Sequence, residues 1–174
     1  HKHFDTKNLK GFGVDHLEHG TIASGAALHY LAETQHNKLK HITKIARIAE
    51  DQYVWMDRFT IRNLELYHSH QQNAVTLLDV IDKTISPMGG RMLKRWMALP
   101  LKNKEAITRR HEVVSYLLEH SQELDKIQTN TRRIGDLERL ISKVATLKIS
   151  PREVVQLKNS LEAIVPIKQL SQNS

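Results

Sequence analysis

The strongest constraint on what this chain can fold into is the apolar period of its C-terminal third. Leu137, Leu140, Ile141, Val144 and Leu147 recur at i, i+3, i+4, i+7 and i+10, the spacing of a single helical stripe. Ser150-Pro151-Arg152-Glu153 then carries the signature of a second helix start. Ser is the cap, Pro takes the first helical position where its missing N–H costs nothing, and Glu at the third position completes a capping box. Val154, Leu157, Leu161, Ile164 and Val165 continue it. Short connections between such helices make them antiparallel neighbours and therefore a bundle.

The same signals run backwards through the chain. Asn103 is placed to cap a helix whose Ile107, Val114, Leu117 and Leu118 form one stripe, and a shorter helix is expected over 123–129. Ser86-Pro87 starts a helix through Arg91 to Ala98 that must stop before Pro100. Short helices are expected from Thr60 to Leu66 and from Thr76 to Asp82, with a polar break at 67–73 between them. Residues 42–57 change character: two short runs rich in β-branched and aromatic residues flank Glu50-Asp51-Gln52, which predicts a hairpin. Ahead of it, Ala23, Ala26, Ala27, Tyr30 and Leu31 predict a helix over about 21–36, with small side chains suited to close packing. The expected fold is mainly α, a helical-bundle core with a small β-hairpin and an N-terminal helical segment. Both ends lie within patterned sequence, so the chain reads as a piece of a longer protein.

Composition narrows the function classes. With no cysteine there is no disulfide, thiol nucleophile or cysteine zinc site, and a reducing cytoplasmic setting is the expectation. No run approaches the roughly 18 apolar residues of a membrane span. A net charge of +7 favours an acidic partner such as nucleic acid. Aromatic content of 5% is low for a protein that stacks single-stranded bases.

Specific chemistry is sparse. Gly20-Thr-Ile-Ala-Ser-Gly25 has the glycine spacing of a phosphate loop, but Ala26 and Ala27 stand where Lys and Ser/Thr are required. Gly11-Phe-Gly13 is too short a match to a dinucleotide fingerprint. His16 with His19, and His68 with His70, lack the further ligands a metal needs. No nucleophile and base can be paired. Two basic clusters remain, Arg91, Lys94 and Arg95 on one helix face and Arg109, Arg110, Arg132 and Arg133 farther on. A solvated face, or salt bridges to acids such as Glu65, Asp79 and Asp82, is the simpler account of such charges, and Trp96 is expected to anchor a core.

Three motifs in order carry a resemblance. Asp57-Arg-Phe-Thr-Ile-Arg-Asn-Leu-Glu-Leu66, the stretch from Leu77 to Leu101 containing Thr84-Ile-Ser-Pro-Met-Gly-Gly-Arg-Met-Leu-Lys-Arg-Trp96 and Pro100-Leu101, and Gly135-Asp-Leu-Glu-Arg139 together resemble the core of the MutS family of mismatch repair proteins. Leu9-Lys-Gly-Phe-Gly13 and Ala23-Ser-Gly-Ala-Ala-Leu-His-Tyr-Leu-Ala-Glu-Thr-Gln35 resemble the end of that family's connector domain. The resemblance implies a connector tail over 1–41 and the first part of the core or lever domain over 42–174, in a bacterial, nucleoid-associated protein.

It further implies a non-catalytic structural link between mismatch recognition and the ATPase. Asn63, Glu65, Gly89, Arg91, Arg95, Trp96, Pro100, Asp136 and Arg139 would be the structural motif residues. Interior pairing of Arg91 and Asp136 would make them costly to lose. Lys94, Arg109, Arg110, Arg132 and Arg133 are the candidates for contact with a DNA backbone. ATP and magnesium belong to the intact family and not to this segment, where no cofactor or metal site is expected. Mismatched duplex DNA, a second MutS subunit and a MutL-type protein are the implied partners, and no membrane is.

Overall fold

A computed structural model describes residues 2–34, 39–48, 50–71 and 73–173. The fold is mainly helical, with α1 over Glu18–Thr34, α2 over Arg58–Asn63, α3 over Leu77–Ile81 and α4 over Pro87–Ala98. The chain continues through α5 over Lys104–Glu119, α6 over Ser121–Arg133, α7 over Leu137–Ala145 and α8 over Pro151–Asn173. Two compact units result, one of residues 1–48 with 139–150 and the other of 49–138 with 151–174.

Side-chain caps set the starts of four helices in the larger unit. Asp57 accepts from Thr60 N at 2.6 Å to open α2, and Ser86 accepts from Gly89 N at 3.1 Å to open α4 behind Pro87. Asn103 accepts from Ala106 N at 2.8 Å to open α5. At α3 the cap is reciprocal: Asp79 N donates to Thr76 Oγ1 while the Asp79 carboxylate accepts from Thr76 N and its hydroxyl. Each cap satisfies a backbone donor that the first helical turn leaves open. A single residue, His120, separates α5 from α6, its ring stacked on Tyr116 at 4.0 Å.

The hairpin expected over 42–57 is absent: among the described residues there is no strand. Residues 42–48 are irregular, Glu50–Gln52 forms a 3₁₀ turn, and Ala49 lies outside the described residues. The donors and acceptors of the second run pair elsewhere. Tyr53 bridges Leu101 in antiparallel fashion, with Val54 N on Pro100 O at 2.8 Å and Lys102 N on Gln52 O at 3.0 Å. The β-prone run thus serves as a tie to the segment after α4.

In the larger unit, α6 lies along α8 and more lightly against α5. The buried face of α8 differs from the stripe read in the sequence. Ser160 and Ala163 are each 1% exposed and, of the stripe, Leu157 and Ile164 are half-buried, whereas Val154, Leu161 and Val165 are about half exposed. Small residues mark the closest approach. Gly135, between α6 and α7, donates its N–H to Ser160 Oγ at 3.0 Å, and that hydroxyl donates to Gln156 O at 2.8 Å. A Cβ on Gly135 would stand 2.9 Å from Gln156 Nε2 and 3.4 Å from Ser160 Oγ, so a side chain here would first have to displace the flexible end of Gln156. Beyond it, Val113, Tyr116, Leu117, Ile127, Ile167 and Leu170 line an apolar groove of about 390 Å³.

In the smaller unit, Leu9, Val14, Leu39 and Leu140 are the buried apolar residues among those described. Helix α1 forms as predicted, its expected end at 35–36 lying outside the described residues. The close packing expected of Ala23, Ala26 and Ala27 is not present, since no residue of α1 is buried. The α7 stripe is likewise open. Leu140 is buried, but Ile141 and Val144 are exposed, and Leu147 turns into a left-handed conformation (φ 56°) that ends the helix and leaves its side chain in solvent. Periodicity identified these helices, yet the surface that would cover most of their apolar faces is not supplied within the unit.

Replacing Ser160 by Ala removes the acceptor for the Gly135 N–H at the most enclosed point of α8. Urea unfolding is expected to show a loss of about 1–2 kcal/mol, the cost of stranding a backbone donor in an enclosed site.

Candidate functional site

The strongest polar constellation is centred on Arg91, one helical turn into α4. Its guanidinium grips Asp136 bidentately, Nη1 to Oδ2 at 2.9 Å and Nη2 to Oδ1 at 2.7 Å. It also donates from Nε and Nη2 to Glu138 Oε2 at 2.8 and 2.6 Å. Two carboxylates hydrogen-bonded to one fork, Asp136 foremost, raise the Arg91 pKa further above its already high value. The sequence offers Glu65, Asp79 and Asp82 as salt-bridge partners for this cluster, and makes a high cost of losing Arg91 or Asp136 conditional on their pairing in the interior. The structure corrects the partners and does not meet the condition: the acids come from the start of α7, and the Arg91 side chain is 48% exposed, Asp136 being the sheltered partner at 20%.

The acids first matched with it have other work. Glu65, itself left-handed (φ 47°), accepts from Ser69 Oγ at 2.9 Å and closes the loop after α2. Asp79 caps α3, and Asp82 accepts from the hydroxyl and N–H of Thr84. Hydrogen bonds to the charged form hold Asp57, Asp79 and Asp82 below their ordinary pKa, through Thr60, Thr76 and Thr84 respectively.

The remaining motif residues are placed as follows. Asn63 ends α2 and is exposed. Gly89 supplies the capped N–H of α4, and the Arg95 carbonyl accepts the last N–H of that helix, from Leu99. Pro100 offers its carbonyl to Val54. Arg139, exposed, lies in the other unit. Trp96 does not anchor a core: it is 45% exposed, and the Arg110 guanidinium sits over its ring at 3.8 Å. A cation so placed gains from the negative face of the indole.

Of the other basic candidates, Lys94 lends its carbonyl to the Tyr67 hydroxyl at 2.6 Å, and its ammonium contributes to holding Asp82 charged. Arg109, Arg132 and Arg133 are exposed, the last two closing α6 where cations suit the helix dipole. They occupy α5 and α6, whereas Lys94 lies on α4. Among the described residues no group of three or more His, Asp or Glu could hold a metal ion. Nor is any helix there long and apolar enough to cross a membrane. Sequence reasoning missed the basic concavity between α2 and His70, whose signal was Arg58 and Arg62 four residues apart with His68 and His70 following shortly after.

Comparison with known proteins gives a consistent result. The family profile described as MutS domain III matches residues 59–174. A DNA mismatch repair protein MutS of Christiangramia forsetii is 71% identical over 169 residues, 97% of this chain and 19% of that protein. The same-named protein of Flavobacterium psychrophilum is 67% identical over 172 residues, 99% of the chain and 20% of the relative. That of Bacteroides fragilis is 57% identical over 173 residues, with the same shares. The chain thus spans about a fifth of the length of the curated relatives it matches.

Two measurements test the electrostatics. Arg91→Gln is expected to lower the melting temperature, and the gap from wild type should narrow as salt rises from about 0.05 to 0.5 M, because a half-exposed ion pair is screened. Equal gaps at both salts would mean that packing, not charge, holds α4 to the α7 start. Asp79, depressed below 3.8, stabilises the fold above that value and ceases to as pH falls through its lowered pKa. Asp79→Asn should therefore flatten the acid limb of a melting curve series run from about pH 6 to pH 3.

Proposed function

The chain belongs to the MutS family, of which it carries domain III, and from that premise we propose that it is the mechanical link between mismatch recognition and the ATPase of a longer repair protein. Residues 1–41 are read as the tail of the connector domain and 42–174 as the first part of the lever. The observation that carries this reading is the dense, small-residue contact of α8 at Ser160 and Ala163. A helix seated this closely moves as a rigid body when pushed, since a close-packed contact transmits displacement in place of absorbing it.

The open apolar faces support the same reading. Trp55, Phe59, Val75, Leu118 and Leu147 are all more than half exposed. Exposed apolar surface on this scale favours contact with further protein, and relatives five times as long have it to offer. On this proposal the segment itself is non-catalytic. ATP, magnesium, mismatched duplex DNA, a second MutS subunit and a MutL-type partner engage other parts of the protein, in the bacterial cytoplasm.

A second reading is favoured by the net charge of +7 and by the exposure of Lys94, Arg109, Arg132 and Arg133, with Arg110 held on Trp96. In it the segment is an autonomous helical module that grips duplex DNA through phosphates. Salt behaviour separates the two. Fluorescence titration with homoduplex and mismatched DNA at about 50 and 200 mM salt should show weak or no binding for the mechanical link. A tight complex that loses affinity steeply between those salts would establish the module instead, and a preference for the mismatch would contradict both readings.

A further inference from the structure

The loop after α2 folds back onto that helix and encloses a concavity of about 280 Å³, lined by Arg58, Ile61, Arg62, Tyr67, His68 and His70 among others. Its construction starts from the backbone. Glu65 adopts a left-handed conformation (φ 47°), which turns the chain sharply at the end of α2 and returns residues 67–70 alongside it. Two bonds hold the return: Glu65 Oε1 accepts from Ser69 Oγ at 2.9 Å and, more weakly, from His70 N at 3.4 Å. A third tie, Tyr67 OH to Lys94 O at 2.6 Å, fastens the loop to α4.

The charges inside this frame are not balanced. Arg58 and Arg62 are four residues apart and share one face of α2. Arg62 Nε donates to His70 Nε2 at 2.8 Å, a contact with an imidazole and not with a carboxylate. Arg58 has no hydrogen-bond or ion-pair partner among the described residues. No carboxylate is among the residues that line the pocket. The nearest acid on the loop, Glu65, spends one oxygen on the loop's own Ser69 and His70.

We propose that this pocket binds a phosphate group. Two guanidinium forks present more N–H donors than the two oxygens of a carboxylate accept, whereas a tetrahedral oxyanion offers acceptors in several directions at once. Charge-assisted bonds from Arg to such an oxyanion are short and strong. The walls are tied before any ligand arrives, so little ordering cost falls on binding. The phosphate comes either from a small phosphorylated molecule or from a nucleic-acid backbone, and the site is independent of the mechanical role proposed above.

The test follows the Arg Nε–H signals and the His68 and His70 ring signals by NMR. The 174-residue chain is titrated with inorganic phosphate, and separately with a duplex oligonucleotide, at constant ionic strength. Saturable shifts centred on Arg58, Arg62, His68 and His70 are expected. Arg58→Gln with Arg62→Gln should weaken binding at least about tenfold, while Arg152→Gln on α8 leaves it unchanged. Saturation by inorganic phosphate alone assigns the site to small phosphorylated ligands. Saturation by the duplex as well extends it to phosphodiesters. Shifts that rise without saturating in both titrations, or affinity unaltered in the double variant, would overturn the proposal. Should the double variant melt early, Arg62→Lys keeps the charge but loses the planar fork, and unaltered binding in it would count equally against the assignment.

Discussion

The larger helical unit depends on one close approach, that of α8 to the turn between α6 and α7. Ser160 and Ala163 lie three residues apart on α8 and are the least exposed residues of the chain's described core. Their small side chains let the helix come near enough for the Ser160 hydroxyl to satisfy the Gly135 N–H while still bonding its own helix at Gln156. A polar residue at the centre of a contact is tolerable because its hydroxyl is used twice, as acceptor and as donor. A larger side chain at the fully buried position 163 would overpack α8 against whatever covers it there.

Around that contact, charge is distributed by a simple rule. The acids Asp57, Asp79 and Asp82 are engaged by backbone N–H groups and threonine hydroxyls, at helix starts and in a turn. Asp136 and Glu138 are engaged by a single arginine, Arg91. Most of these acids are therefore committed to partners of their own, and no carboxylate is among the residues that line the pocket of Arg58 and Arg62. An electropositive surface here results from where the acids are committed as much as from how many there are.

Much of the helical order was legible in the sequence. Ser86-Pro87 and Asn103 marked starts that the structure bears out, because a cap is a local bargain between one side chain and the next three residues. The family motif of the core was equally legible, since it lies in contiguous residues. The partners of Arg91 were not. Asp136 is 45 residues away, and nothing local prefers it over Asp79 or Asp82 until the fold brings α4 to the start of α7. The hairpin failed for a related reason: β-prone residues in 42–57 mark a chain able to extend, but the pairing that forms joins Tyr53 to Leu101, a partner no neighbouring residue announces.

The sequence by itself determined that the chain is helical, where most helices begin, and which family it belongs to, because caps, periodicity and motifs are properties of neighbouring residues. Only the tertiary structure decided which face of each helix is covered. Periodicity chose Val154, Leu157, Leu161, Ile164 and Val165 for the inside of α8; Leu157 and Ile164 are half-buried, yet the most buried positions are Ser160 and Ala163, where small side chains let another element come near. It alone also decided that Arg62 faces a histidine and Arg91 a pair of carboxylates, a difference in charge balance set by which loop lies against which helix.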